Sequence, residues 1–228
     1  MIPRLPRGFT LIELLVTVAI ITVLFALIAP ALGEARAAGS RAVCGSNLRQ
    51  VFGAFGVYMG DHDDTYPAAD DQASPWLWMG RGFRSVLMPY ISDGIDRDNP
   101  SILWCPSDTT EPAKYENTSY AWSMSFYHSP EQIDAMTGVA SCYSNPVEAV
   151  GVQSQDVAWP AAKILVGEWF SNHRRCENEN GWWCWEGSRV FAFADGHGEW
   201  LAAMSILPAN DGMPDANLTV HGVKGMDR

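Results

Sequence analysis

Arg7-Gly8-Phe9-Thr10-Leu11-Ile12-Glu13 opens a run of apolar residues that reaches Leu32. From Leu14 to Leu32, nineteen residues pass without a charge. At about 1.5 Å per helical residue, that length comes close to the ~30 Å hydrocarbon core of a bilayer. Arg4 and Arg7 precede the run, as basic residues do in secretory signals and plain membrane anchors. Two features set this segment apart. A secretory signal has an apolar stretch of only about 7–15 residues with its cleavage site behind it. Here the stretch is longer, and the candidate junction, Gly8-Phe9, lies in front of it. A plain anchor, for its part, has no use for Glu13. A carboxylate within a membrane helix costs about 2.5–3.5 kcal/mol on insertion scales, so it is a functional candidate by default. The segment reads as a processing junction fused to an assembly helix.

These residues resemble the class III signal of type IV prepilins and of the pseudopilins of type II secretion. In those families a short basic leader ends in Gly and the mature chain begins with Phe. The resemblance implies that a prepilin peptidase, which is also a methyltransferase, removes residues 1–8 and methylates the new amine of Phe9. It further implies that Glu13 meets the amine of a neighbouring subunit during assembly. Desolvation strengthens that attraction and penalises a mismatched register, which makes Glu13 a register-setting residue and not a catalytic one. Pro30 removes a helical hydrogen bond and clashes with the preceding turn, so a kink or local melting is expected there. By the same resemblance, the helix loosens at Pro30 when the filament assembles. The partners implied are the peptidase, other pilin-like subunits and an inner-membrane assembly platform. The location implied is a single pass through the inner membrane with the head exported, then a periplasmic or cell-surface filament.

Beyond Leu32 the apolar residues Val43, Leu48, Val51, Phe52 and Phe55 recur at mixed three- and four-residue spacing, which predicts an amphipathic continuation of the helix. The expected organisation is a leader over 1–8, a helix over 9–58 with its membrane part at about 9–32, and a head over 59–228. Cys44-Gly-Ser-Asn-Leu-Arg-Gln50, Tyr58 to Asp64, Tyr66-Pro67, Trp104-Cys-Pro-Ser-Asp108 and Ser119-Tyr-Ala-Trp122 resemble a large group of bacterial prepilin-like proteins. Pro160 to Glu168, Phe193 to Trp200 and Pro214 to Val220 extend the resemblance over nearly the whole chain. That group is marked by a His, nine intervening residues and Asp-Gly. Counting back from Asp195-Gly196 places Trp185 at the His position, while His173 lies earlier. The fold class expected is α+β and pilin-like: a long N-terminal transmembrane helix packed on a small head with an antiparallel sheet.

Composition agrees with one exported domain behind the helix. The 228 residues are 47% hydrophobic and 18% charged, enough to bury a real core. A net charge of -11 argues against nucleic acid, whose phosphates require Lys and Arg. The five cysteines lack the paired short spacings of a zinc site, and export makes disulfides plausible with one thiol left over. Cys176 with Cys184 is the easiest pair to close, and Cys44 with Cys105 is the second expectation.

Local patterns predict a short helix over Phe83 to Ile91, strands over Ser101 to Trp104 and Ser119 to Tyr127, and a helix opened by Ser129-Pro130. Lys163 to Glu168 reads as a strand, and Val190 to Ala194 with Gly198 to Ala202 as a hairpin about Asp195-Gly196. Asp61, Asp63 and Asp64 offer oxygen ligands at a spacing that suits calcium. The loop lacks the Gly and closing Glu of a full site, so a solvated acidic loop is favoured; Asp211 and Asp215 form a weaker second candidate. No other cofactor is expected. Ser188, His197, Asp195 and Glu168 can be set out as a hydrolytic group, but no nucleophile elbow or phosphate-binding loop accompanies them, so no enzyme is expected. Ten Trp include Trp76 and Trp78 in one loop and Trp182, Trp183 and Trp185 in another. They are read first as core or subunit packing. The function expected is a structural subunit of a type II secretion pseudopilus or type IV pilus-like filament. The rivals are a filament-tip or surface adhesin holding polysaccharide on Trp182, Trp183 and Trp185, and an anchored protein that never polymerises.

Overall fold

The computed structural model describes residues 9–68, 86–91, 101–110, 118–137, 148–174, 176, 181–182 and 184–228. Helix α1 spans Leu11–Asp61. Thr10 starts it: the Thr10 hydroxyl accepts from the Glu13 backbone N–H at 3.2 Å, and the Glu13 carboxylate accepts from the Thr10 backbone N–H at 2.9 Å. This reciprocal cap satisfies two helix-end donors and places a negative charge at the positive end of the helix dipole. The local melting expected at Pro30 does not occur, since α1 is helical through that residue. One lost hydrogen bond is outweighed by continued propagation through the Leu- and Ala-rich flanks. The helix ends where Asp63 and Asp64 adopt left-handed backbone angles, φ 50° and 56°, and the Asp64 N–H returns to the Met59 carbonyl at 2.9 Å. Short polar side chains tolerate that conformation.

Residues 1–39 form one compact unit and residues 40–228 another. The compact unit that holds the head thus takes in the second part of α1, from Ser40. Cys44, Leu48, Val51, Ala54, Phe55 and Tyr58 are the buried residues of α1, and all belong to the head's core.

The head is built on an antiparallel four-stranded sheet in the order β1-β2-β3-β4: β1 Tyr120–Trp122, β2 Ile164–Glu168, β3 Ser188–Phe193 and β4 Gly198–Ala202. Alternation along the strands divides the core. Tyr120, Trp122, Val190 and Ala192 join the α1 side, whereas Ala121, Phe191 and Phe193 join a second cluster with Trp169, Trp182, Leu201 and Ile206. A register irregularity between Ile164 and Val166 shifts the phase of β2. Gly167 pairs with Phe191, and a Cβ on Gly167 would fall inside the contact distance of the Phe191 ring. Gly167→Ala is therefore expected to cost about 1–3 kcal/mol through overpacking, read as a lowered urea midpoint with unchanged slope.

The hairpin about Asp195-Gly196 is present, and Gly196 (φ 90°) sits too close to the Phe52 ring to carry a Cβ. Helix α2, Pro130–Ala135, carries the cap that Ser129 and Gln132 share. Two strand expectations fail. At Ser101 to Trp104 the Ser101 hydroxyl accepts from the Leu103 N–H at 3.0 Å, which favours a turn over a ladder. The strand from Ser119 stops at Trp122 because the Ser123 hydroxyl caps a 3-10 helix, Met124–Phe126. In the expected helix over Phe83 to Ile91, residues 83–85 lie outside the described residues; Val86 and Leu87 are buried and Met88–Tyr90 forms a 3-10 turn.

Candidate functional site

At the N-terminus Gly8 lies outside the described residues, and Phe9 is 72% exposed. The large apolar side chains from Leu11 to Leu32 are all exposed, and α1 is long and apolar enough to cross a membrane. Such a surface is not left to water, because each buried CH₂ is worth about 0.8 kcal/mol. The Glu13 carboxylate is held by Thr10, through the backbone N–H and, at 2.8 Å, the hydroxyl.

In the head the structure redistributes the expected sites. Trp182 is 1% exposed, lies against Trp169 and Phe191, and donates its indole N–H to the Glu168 carbonyl at 2.7 Å. It belongs to the core and presents no stacking face, which corrects its candidacy as a glycan platform. Trp183, Trp76 and Trp78 lie outside the described residues. Trp185, at the position where the resembling group has His, is 39% exposed and directs its indole N–H at the Met213 sulfur, 3.3 Å away. Asp61, Asp63 and Asp64 are exposed. The hydrolytic set is not assembled: Ser188 starts β3, while Asp195 and His197 sit beyond its other end, roughly 17 Å of strand away. His197 instead bonds Asp195 at 2.6 Å and stacks on Phe193.

The cysteines also differ from expectation. Cys44 and Cys105 form a disulfide, with Cα atoms 5.3 Å apart. Cys176 and Cys184 are not joined. A short loop lowers the closure entropy but does not by itself align two Cβ atoms at the roughly 3.5–4.5 Å that a disulfide needs. Gly181 between them has a left-handed backbone (φ 85°), and the Cys176 sulfur lies beside Gly187. The Cys44-x-x-Asn47 motif thereby gains a local meaning. One turn of α1 presents both side chains to a single segment, Cys44 bonded to Cys105 and the Asn47 amide donating to the Trp104 carbonyl at 3.1 Å. The Cys105 N–H in turn donates to the Ser119 hydroxyl at 2.9 Å.

Two buried polar groups escape local sequence reasoning. Lys163 is fully buried, 3.1 Å from Asp227, and also donates to Ser125 and Thr219. Burial holds its ammonium below the ordinary lysine range, and the Asp227 charge opposes that shift. The second group is Glu168 with His173. The Glu168 carboxylate accepts from the Val190 N–H at 2.8 Å and from Asn172 at 3.2 Å, and the His173 Nε2 lies 3.1 Å from it. Burial first, and the Glu168 charge second, push the neighbouring Tyr120 hydroxyl well above its usual pKa.

A long apolar N-terminal helix together with a small head containing a four-strand antiparallel sheet is a pilin-like α+β architecture. Residues 4–29 match the family model of the prokaryotic N-terminal methylation motif, which is typical of type IV prepilins and pseudopilins. The motif and the single apolar helix support a membrane-anchored, pilin-like protein, and the motif implies processing by a prepilin peptidase and assembly with other pilin subunits. No curated protein and no solved structure matches the chain.

Proposed function

We propose that the chain is a filament subunit, cut between Gly8 and Phe9, methylated on Phe9, and assembled through the first part of α1. The observation that carries this reading is the exposed apolar surface from Leu11 to Leu32 placed directly behind the methylation motif. Lipid covers that surface before assembly, and neighbouring helices cover it afterwards. The head then decorates a pseudopilus of type II secretion or a type IV pilus-like filament. The work is assembly and not chemistry, carried out with an inner-membrane platform and other pilin-like subunits, with the head on the exported side. In a single subunit Glu13 caps its own helix through Thr10. On assembly, the cationic amine of a neighbour's Phe9 offers the carboxylate a stronger partner in a medium without water.

The test is to shear surface filaments from the native cell and read the N-terminus and intact mass of this chain in the sheared and membrane fractions. Methylated Phe9 in sheared fibres establishes a filament subunit. Processed Phe9 confined to membranes favours a short pseudopilus or an anchor that does not polymerise, and a retained Met1 overturns the reading. Glu13→Leu is expected to insert and be cleaved normally yet to yield no filaments; wild-type filament yield in that variant would remove Glu13 from assembly.

A further inference from the structure

Four potential metal-ligand atoms converge in the head from three separate stretches of chain: Cys44 Sγ on α1, Cys105 Sγ on the turn after Leu103, Glu168 at the end of β2 and His173 five residues later. All lie within 4.8 Å of one another. The Glu168 and His173 side chains are 0% and 1% exposed, and both cysteines are completely buried. We propose that these four residues form a structural zinc site in the dithiol state of the chain, and that the Cys44–Cys105 disulfide is the metal-free form of the same site.

The distances carry the argument. Tetrahedral zinc with Zn–S near 2.3 Å and Zn–N and Zn–O near 2.1 Å places its donors about 3.4–3.8 Å from one another. The Cys105 sulfur is 3.6 Å from His173 Nε2, and that nitrogen is 3.1 Å from a Glu168 oxygen. Two edges of the tetrahedron are therefore nearly in place, the remaining separations are all within 4.8 Å, and the two bonded sulfurs have to part. Opposite His173 Nε2, the Nδ1 atom is buried and has no hydrogen-bond partner among the described residues, so the polar contacts of the ring, with Glu168 and Cys105, all fall on the Nε2 side. The other Glu168 oxygen is held by the Val190 N–H, which orients the carboxylate as a metal ligand's second contact does. Two thiolates, one imidazole and one carboxylate fill four positions and select zinc over the hard cations. No position remains open for catalysis.

Charge and electrons both balance. A dithiol reductant attacks the disulfide, forms a mixed disulfide and leaves as its own disulfide, and Cys44 and Cys105 gain two electrons and two protons. Zinc then displaces those two protons, so its two positive charges are matched by two thiolates and the buried net charge is that of Glu168 alone. The short-spaced cysteine motifs of common zinc sites are absent because the ligands come from distant segments.

The experiment uses the full chain in detergent, reduced anaerobically by a dithiol, freed of metal and then titrated with zinc against a competing chelator and, separately, with cobalt. The reduced chain is expected to take up one zinc, to show a thiolate-to-cobalt charge-transfer band, and to protect Cys44 and Cys105 from alkylation when zinc is bound. The oxidised chain is expected to take up none at this site. His173→Asn and Glu168→Gln should each weaken zinc binding by at least about tenfold. The proposal is overturned if the reduced wild-type chain, shown to be folded by its near-UV circular dichroism, binds no zinc. It is equally overturned if zinc protects other cysteines instead, or if the oxidised chain binds as tightly as the reduced one.

Discussion

Replacing Asp227 with Ala is expected to destabilise the head by about 3–5 kcal/mol, the cost of leaving a buried charge without its partner. Lys163 cannot reach water from its position, and Asp227 is its only carboxylate within ion-pair distance among the described residues. Asp227 also accepts from the Ile164 N–H at 2.7 Å, so the substitution orphans a backbone donor as well. Against a typical domain stability of about 5–15 kcal/mol, such a loss is visible as a large fall in the urea midpoint. The pH dependence gives a second readout. Without Asp227, burial depresses the folded-state pKa of Lys163 still further below its unfolded value. The unfolded chain then binds more protons than the folded one between those two values, so the variant gains stability as pH rises towards the ordinary lysine pKa. Wild type gains less over that window. The double variant Lys163→Met, Asp227→Leu should recover most of the loss, since apolar replacement of a buried pair is commonly neutral or favourable. Failure of the single variant to lose stability would show that Lys163 is solvated in solution.

Trp182→Ala carries the second large effect, about 3–5 kcal/mol for an aromatic removed from a packed core. The loss combines the contacts with Trp169 and Phe191 and the hydrogen bond to the Glu168 carbonyl. Trp185→Ala, three residues along, is expected to change stability by no more than about 0.5 kcal/mol, as partly exposed positions usually do. Thermal unfolding of the two variants side by side separates a core indole from a surface one. Equal, small effects would mean that Trp182 is exposed and would restore it as a binding face.

What was legible in the sequence was local. Spacing of Leu48, Val51 and Phe55 revealed which side of α1 is buried, the Asp195-Gly196 pair revealed the hairpin, and Ser129-Pro130 revealed a helix start. Those signals act over a few residues and survive folding unchanged. Ser101 to Trp104 failed because a serine hydroxyl competed for the backbone, an effect that hydrophobic pattern does not register. The zinc-type cluster escaped because Cys44, Cys105 and Glu168 are separated by about sixty residues each, and no spacing rule reaches that far. Lys163 read as the polar start of an apolar strand. Its burial depends on Asp227, which lies sixty-four residues away. The same limit explains Cys176 and Cys184: proximity in sequence was mistaken for alignment in space.

The core of the head begins within α1, and this governs where the protein can be divided. A protease or a designed truncation that cuts after Asp61 would strip Cys44, Leu48, Val51 and Phe55 from the sheet they cover and leave a collapsed or insoluble remnant. A cut between Leu32 and Ser40 would release a soluble fragment with its core complete. The exposed boundary for shedding the head from a membrane is therefore the Ala- and Gly-containing stretch around Gly33 to Gly39. A secreted form of this protein would keep the twenty or so residues of α1 from Ser40 to Asp61, which are continuous in one helix with its anchor.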